Sequence, residues 1–148
     1  MTQMSSFTGH WHDWLKFLLQ VVIAYVLTAL IGWNREREEH GVGIRTFPIV
    51  GMASCGYLLL VSGLGDTAAA SRVMQGLIAG IGFIGGGAIV KEGPTVKGTA
   101  TAASIWNAGV MGASVALERY DIAIILCLLN LFALRVLRPL KDRLDQSK

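Results

Sequence analysis

Four stretches of this chain run for 18 to 20 residues without a charge, and a fifth does so for 13. They lie between Lys16 and Arg35, Arg45 and Asp66, Arg72 and Lys91, Lys97 and Glu118, and Asp121 and Arg135. A helix that crosses a bilayer needs ~20 mostly apolar residues, because nothing in the hydrocarbon solvates a charge or an unpaired backbone group. The first four gaps have that length. The fifth reaches it when residues 122–137 are counted and Arg135 extends from the helix end toward water. With 148 residues, 16% of them charged, and a mean hydropathy of +0.53, the chain has too little polar surface for an ordinary soluble domain, which carries about 25% charge. The expected architecture is all-α and polytopic, with five membrane helices over about 15–33, 46–64, 73–90, 99–117 and 121–137. Residues 1–14 are expected to form an external tail, and residues 138–148 a basic cytoplasmic one.

Charge placement orients the bundle. With an external N-terminus, the inner segments hold Arg35, Arg37, Arg45, Lys91, Lys97 and the five basic residues of 135–148, while the outer ones hold only Lys16, Arg72 and Arg119. Ten against three is the positive-inside pattern. Trp11, Trp14 and Trp33 flank the first run as interfacial aromatics. No cleavable signal peptide is expected, since the first 14 residues lack Lys and Arg and the first run is long enough to remain as a helix. The net charge of +3 does not indicate a nucleic-acid partner, because the basic residues alternate with apolar runs and do not gather on one face. Cys55 and Cys127 fall inside runs and are expected to be small apolar packers.

Residues 76–87 hold six glycines, and Gly80-Ile81-Gly82-Phe83-Ile84-Gly85 spells G-x-G-x-x-G. A dinucleotide turn also needs a preceding strand and an acid about 20 residues later. No Asp or Glu occurs between Glu92 and Glu118, so no cofactor is expected. In a membrane, small residues allow backbones to approach closely. On a helical projection Gln75, Ala79, Gly82 and Gly86 share one face, and Gly76, Gly80 and Gly87 the next. Leu77, Ile78, Ile81 and Ile84 lie opposite. The expectation is that Gly76, Gly80, Gly82, Gly85, Gly86 and Gly87 pack against a neighbouring helix, with the isoleucines toward lipid. In the fourth run twelve of nineteen residues at 99–117 are Ala, Gly, Ser or Thr. This helix should be central and should pack most closely on the third.

Polar residues at membrane depth are functional candidates by default. Gln75, Ser104 and Asn107 are foremost, with Arg45 and Arg72 at helix ends and Asn130 in the fifth run. Ser104 and Asn107 share a face with Ala100 and should meet another helix. The His10-Trp11-His12-Asp13 cluster has no second cluster to complete a metal site. Glu36, Glu38 and Glu39 alternate with Arg35 and Arg37 and read as a solvated run. The competing reading is a carboxylate-lined cation entry, with Glu36 and Glu92 as oxygen ligands of the kind Mg²⁺ prefers. No nucleophile–base constellation is present, so no enzymatic activity is expected.

Several pieces together resemble the MgtC/SapB family of bacterial inner-membrane proteins over nearly the full length. They are Leu30-Ile31-Gly32 followed by Arg35, Gly43-Ile44-Arg45-Thr46, Arg72, the run Gly80-Ile81-Gly82-Phe83-Ile84-Gly85-Gly86-Gly87, and Val96-Lys97-Gly98 with Thr101-Ala102-Ala103-Ser104-Ile105-Trp106. The resemblance implies a short member without the soluble domain of longer relatives. It also implies a link to growth at low magnesium and, in some bacteria, to survival inside host cells. It adds Arg35, Thr46 and Trp106 to the candidate residues. Some members are thought to restrain the membrane ATP synthase. Two functional readings follow: a non-catalytic modulator working through helix contacts with another membrane protein, or a small cation channel or transporter lined by Gln75, Asn107 and the glycine face. A homodimer is compatible with either.

Overall fold

The computed structural model describes residues 4–38, 43–62 and 65–145, with side chains at 11–37, 43–62 and 65–139. Five helices and a short hairpin follow one another: α1 (Met4–Glu38), α2 (Thr46–Ser62), α3 (Thr67–Gly87), β1 (Val90–Glu92), β2 (Thr95–Lys97), α4 (Thr99–Ala116) and α5 (Tyr120–Asp145). Three helices carry stretches long and apolar enough to cross a membrane, Trp11–Arg37, Thr67–Gly87 and Tyr120–Pro139. The apolar α2 is shorter; at ~1.5 Å per residue its 17 residues reach roughly 25 Å. Several bounds differ from the sequence reading, and α3 runs Thr67–Gly87 where residues 73–90 were expected. The N-terminal segment is helical from Met4, and α5 continues through Pro139 to Asp145.

The central helix is α4. It touches every other helix, and eleven of its residues are buried, from Thr101 to Ala116. Small side chains leave it little apolar surface to offer lipid, so its neighbours cover it. Its most extensive partner is α2 and not α3, which corrects the expectation of closest α3–α4 packing. The reason is a backbone crossing. A Cβ built on Gly112 would fall on the Gly51 carbonyl oxygen, and one on Gly51 would lie 2.6 Å from Thr28 Cγ2 of α1. Only glycine lets the α2 and α4 backbones meet there with the Thr28 side chain of α1 packed on the far side of α2.

The glycine stretch of α3 is rotated relative to expectation. Of its six glycines, Gly85 alone meets a neighbour, with its added Cβ 3.1 Å from the Ala102 carbonyl oxygen. Gly76, Gly80, Gly82, Gly86 and Gly87 face open space. Ile81, expected to face lipid, is 6% exposed and packs in the core with Ile31, Phe47, Ile105 and Met111; its Cδ1 lies against Gly109 of α4. Leu77 packs on the same core. Phe83, 85% exposed, points away. Ile78 and Ile84 are exposed as expected, so within the chain α3 packs Leu77, Ile81 and Gly85 inward and leaves its other glycines outward beside Phe83.

The segment after α3, read from the sequence only as an inner connection between two membrane helices, forms an antiparallel hairpin pairing Val90 with Lys97, Lys91 with Val96 and Glu92 with Thr95. Gly93 and Pro94 make the turn, with Gly93 at φ 60, the positive φ that two-residue hairpin loops require. The Lys97 Nζ lies 2.6 Å from Glu92 Oε2.

The other end of α4 closes with a Schellman arrangement. Arg119 N–H donates to the Ser114 carbonyl and Glu118 N–H to that of Val115, with Glu118 in the left-handed region at φ 59. Glycine is the usual occupant there. Glu118→Gly is therefore expected to leave stability unchanged or to raise it by up to ~1 kcal/mol, measured as the detergent melting temperature. The exposed ion pair with Lys16, 2.5 Å away, contributes little that could be lost.

Candidate polar groove at the inner end of the bundle

Arg35 occupies the last turns of α1 and would be expected to reach water. It is instead 3% exposed, with Nη2 donating to Thr101 Oγ1 at 2.7 Å. The bond arises because α1 and α4 run side by side and the first turn of α4 is made of Thr and Ala, too short to push the guanidinium out. Asn34 beside it is also buried, with its Oδ1 unpaired among the described residues.

From Arg35 a groove of about 700 Å³ runs between α4 and α5. Its polar lining is Arg35, Ser104, Asn107, Asn130 and Arg138, and its walls are alanines and leucines of the two helices. Ser104 Oγ donates to Asn130 Oδ1 at 2.9 Å, and Asn107 Nδ2 to the Leu126 carbonyl at 3.3 Å. These bonds tie α4 to α5. Asn130 Nδ2 is buried and has no acceptor among the described residues. The groove therefore presents cations and N–H donors, and no carboxylate among its described lining.

The remaining candidates are dispersed. Gln75 is exposed on α3 and makes no hydrogen bond among the described residues, so it does not join helices within this chain. Arg72 is exposed, 3.9 Å from Asp66 Oδ2, while Asp66 Oδ1 caps α3 by accepting from Ala68 and Ala69 N–H. Arg45 is exposed and Thr46 half-buried at the start of α2. Trp106 lies on the other side of α4, lining an apolar groove of about 220 Å³ against α3. Glu36 Oε2 accepts from Ile44 N–H and Glu92 pairs with Lys97, so the two acids are separately engaged. No cluster of three or more His, Cys, Asp or Glu that could hold a metal occurs among the described residues. Glu39 and the side chains of His10 and Glu38 lie outside them.

Sequence reasoning passed over Gln20, Thr28 and Thr101. Gln20 is 1% exposed, and its Nε2 donates to the Val115 and Ala116 carbonyls at 3.1 and 3.3 Å. A lone amide in an otherwise apolar run was the available signal. The cysteines are buried, and Cys127 Sγ contacts the Leu27 carbonyl oxygen at 3.4 Å.

Comparison with known proteins brings one family forward. The model of the MgtC family matches residues 21–143. Protein SrpB of Synechococcus elongatus is 33% identical over 127 residues, covering 76% of this chain and 70% of its own. Protein MgtC of Salmonella typhimurium is 30% identical over 130 residues, 88% of this chain and 56% of its own. YhiD of Escherichia coli, whose name carries a provisional assignment as a magnesium transporter, is 28% identical over 137 residues, 87% and 64% of the two chains. The chain thus spans between 56% and 70% of the length of these relatives. No solved structure matches it.

Proposed function

The chain belongs to the MgtC family of multi-pass membrane proteins, and on that premise we propose that it is a non-catalytic protein of the bacterial inner membrane that sustains growth when magnesium is scarce by biasing another membrane protein through helix contacts. The observation that carries this reading is the outward face of α3. Gly76, Gly80, Gly82, Gly86 and Gly87 have open space where a side chain would stand, so a second membrane helix can approach that backbone closely. Close approach is the main source of helix association in lipid. The name of one relative, YhiD, points to magnesium. The ATP synthase, which the family resemblance implies for some members, is the first partner to test. The charge pattern sets the N-terminus outside and the C-terminus in the cytoplasm.

A cation path is the weaker reading for a physical reason. The polar groove is lined by Arg35 and Arg138, and a buried guanidinium repels Mg²⁺ at close range.

The test is growth in low magnesium, with cell magnesium uptake and membrane-bound protein followed together. Deletion is expected to impair growth and leave uptake unchanged. Gly80→Leu, which fills open space, is expected to behave like the deletion while the protein inserts and melts as the wild type does. Reduced uptake in the deletion strain would establish the transporter reading instead. Full growth with Gly80→Leu would remove the α3 face from the mechanism. ATP-driven proton pumping in inverted vesicles, with and without the protein, tests the ATP synthase as partner.

A further inference from the structure

The flanks of the bundle offer the bilayer apolar lengths shorter than the ~30 Å of an ordinary hydrocarbon core. The firmest measure is α2, 17 residues or roughly 25 Å long. Its Ile49, Tyr57 and Leu60 are exposed, so it meets lipid directly. It carries no charged side chain that could reach out to water from a deeper position. Its inner end is the turn at 43–45, where the Ile44 N–H takes Glu36 Oε2 as its acceptor and Arg45 is exposed. A turn of that kind cannot stand against hydrocarbon.

Two exposed arginines stand inside the ends of other helices. On α5, Arg135 lies about 21 Å of helix beyond the outer acid Asp121, with Ile125, Leu128 and Phe132 exposed between them. Even when its guanidinium extends to the level of Arg138, the apolar span is roughly 25 Å. On α3, Arg72 stands about 22 Å of helix from Gly87 and is already turned back toward the outer end, 3.9 Å from Asp66 Oδ2. On α1, the exposed Trp14 and Trp33 belong at headgroup level. About 28 Å of helix separates them, so the hydrocarbon between them is thinner than that. Tilt only lowers these heights. We propose that the bundle is built for a hydrocarbon layer of about 25 Å and that the bilayer thins around it to meet α2, α3 and α5. An ordinary bilayer with both arginines stretched to its surfaces would still bury the ends of α2 in hydrocarbon.

The test uses the full chain in vesicles of phosphatidylcholines that differ in chain length: dimyristoleoyl, dipalmitoleoyl, dioleoyl and dierucoyl. Thermal loss of helical circular dichroism is followed in each. The melting temperature is expected to be highest in one of the two shorter lipids and lower by about 5 °C in dioleoyl. Arg72→Leu and Arg135→Leu lengthen the apolar flanks at exposed positions, which keeps folding out of the comparison. Each is expected to narrow the gap between the shorter lipids and dioleoyl. Arg37→Gln, exposed and beyond Trp33, is expected to leave the gap as it is. A wild-type maximum in dioleoyl or dierucoyl vesicles, a gap that neither leucine variant narrows, or an equal narrowing with Arg37→Gln would each overturn the proposal.

Discussion

Gly112→Leu is expected to leave almost no folded protein extractable from the membrane, and Gly112→Ala to lower the melting temperature sharply. The Cβ of either residue falls on the Gly51 carbonyl oxygen, which is backbone and cannot rotate away. The axes of α2 and α4 would have to separate, and Gly51 is itself pinned against Thr28 on its other side. Overpacking costs about 1–3 kcal/mol where side chains can adjust; here the obstacle is main chain in the most extensive helix pair of the bundle. Gly80→Leu is the internal comparison, since nothing lies within 4 Å of its added Cβ. Size-exclusion profiles and melting in detergent read the result. A Gly112→Leu protein as monodisperse and as stable as wild type would show that α2 and α4 do not cross there.

Gln20→Leu is expected to destabilise the fold by about 2 kcal/mol, the cost of leaving buried acceptors unpaired, a fall of roughly 4–8 °C in a protein of this size. The last carbonyls of a helix have no partner within it. At the end of α4, Val115 also accepts from Glu118 N–H. Ala116 has no donor but Gln20 Nε2 among the described residues. Leucine preserves the bulk and removes the donor in a region from which water is excluded. Because Gln20 Oε1 is itself unpaired among the described residues, the substitution also relieves one burden, which holds the expected loss near the middle of the range. An unchanged melting temperature would mean that the α4 end is hydrated, and the amide bond there dispensable.

How much of this could be read from the chain depends on which force set each feature. Charge spacing marked the five helices, because the bilayer excludes charge whatever the packing. The small-residue composition of 99–117 marked the central helix, since a helix with few large side chains gains least from lipid. The rotation of α3 was not legible. Lipid and protein interior are equally apolar, so a stripe of Leu77 and Ile81 suits either environment, and a stripe of glycine signals close approach without saying to whom. Gly51 and Gly112 were hidden for a related reason: neither belongs to a conspicuous glycine run, and their need for each other exists only across space. Arg35 was read as a candidate from motif resemblance. Its burial follows from the short side chains of α4 opposite it, which no local pattern around residue 35 reveals. The hairpin at 90–97 was signalled by Gly93-Pro94 and overlooked in favour of its charges.

The junction between α3 and α4 has a mechanical consequence. Gly98, at φ 83, begins α4 with its backbone seated against the carbonyl of Ala88, which ends α3. The hairpin between them is therefore a rivet and not a hinge, and the two helices cannot slide along one another at that end. A load applied to the outer face of α3 is shared by α4. The Gly51–Gly112 crossing passes it on to α2, and the Arg35–Thr101 bond to α1. A partner pulling on the smooth face of α3 would strain the inner end of the whole bundle as one stiff body.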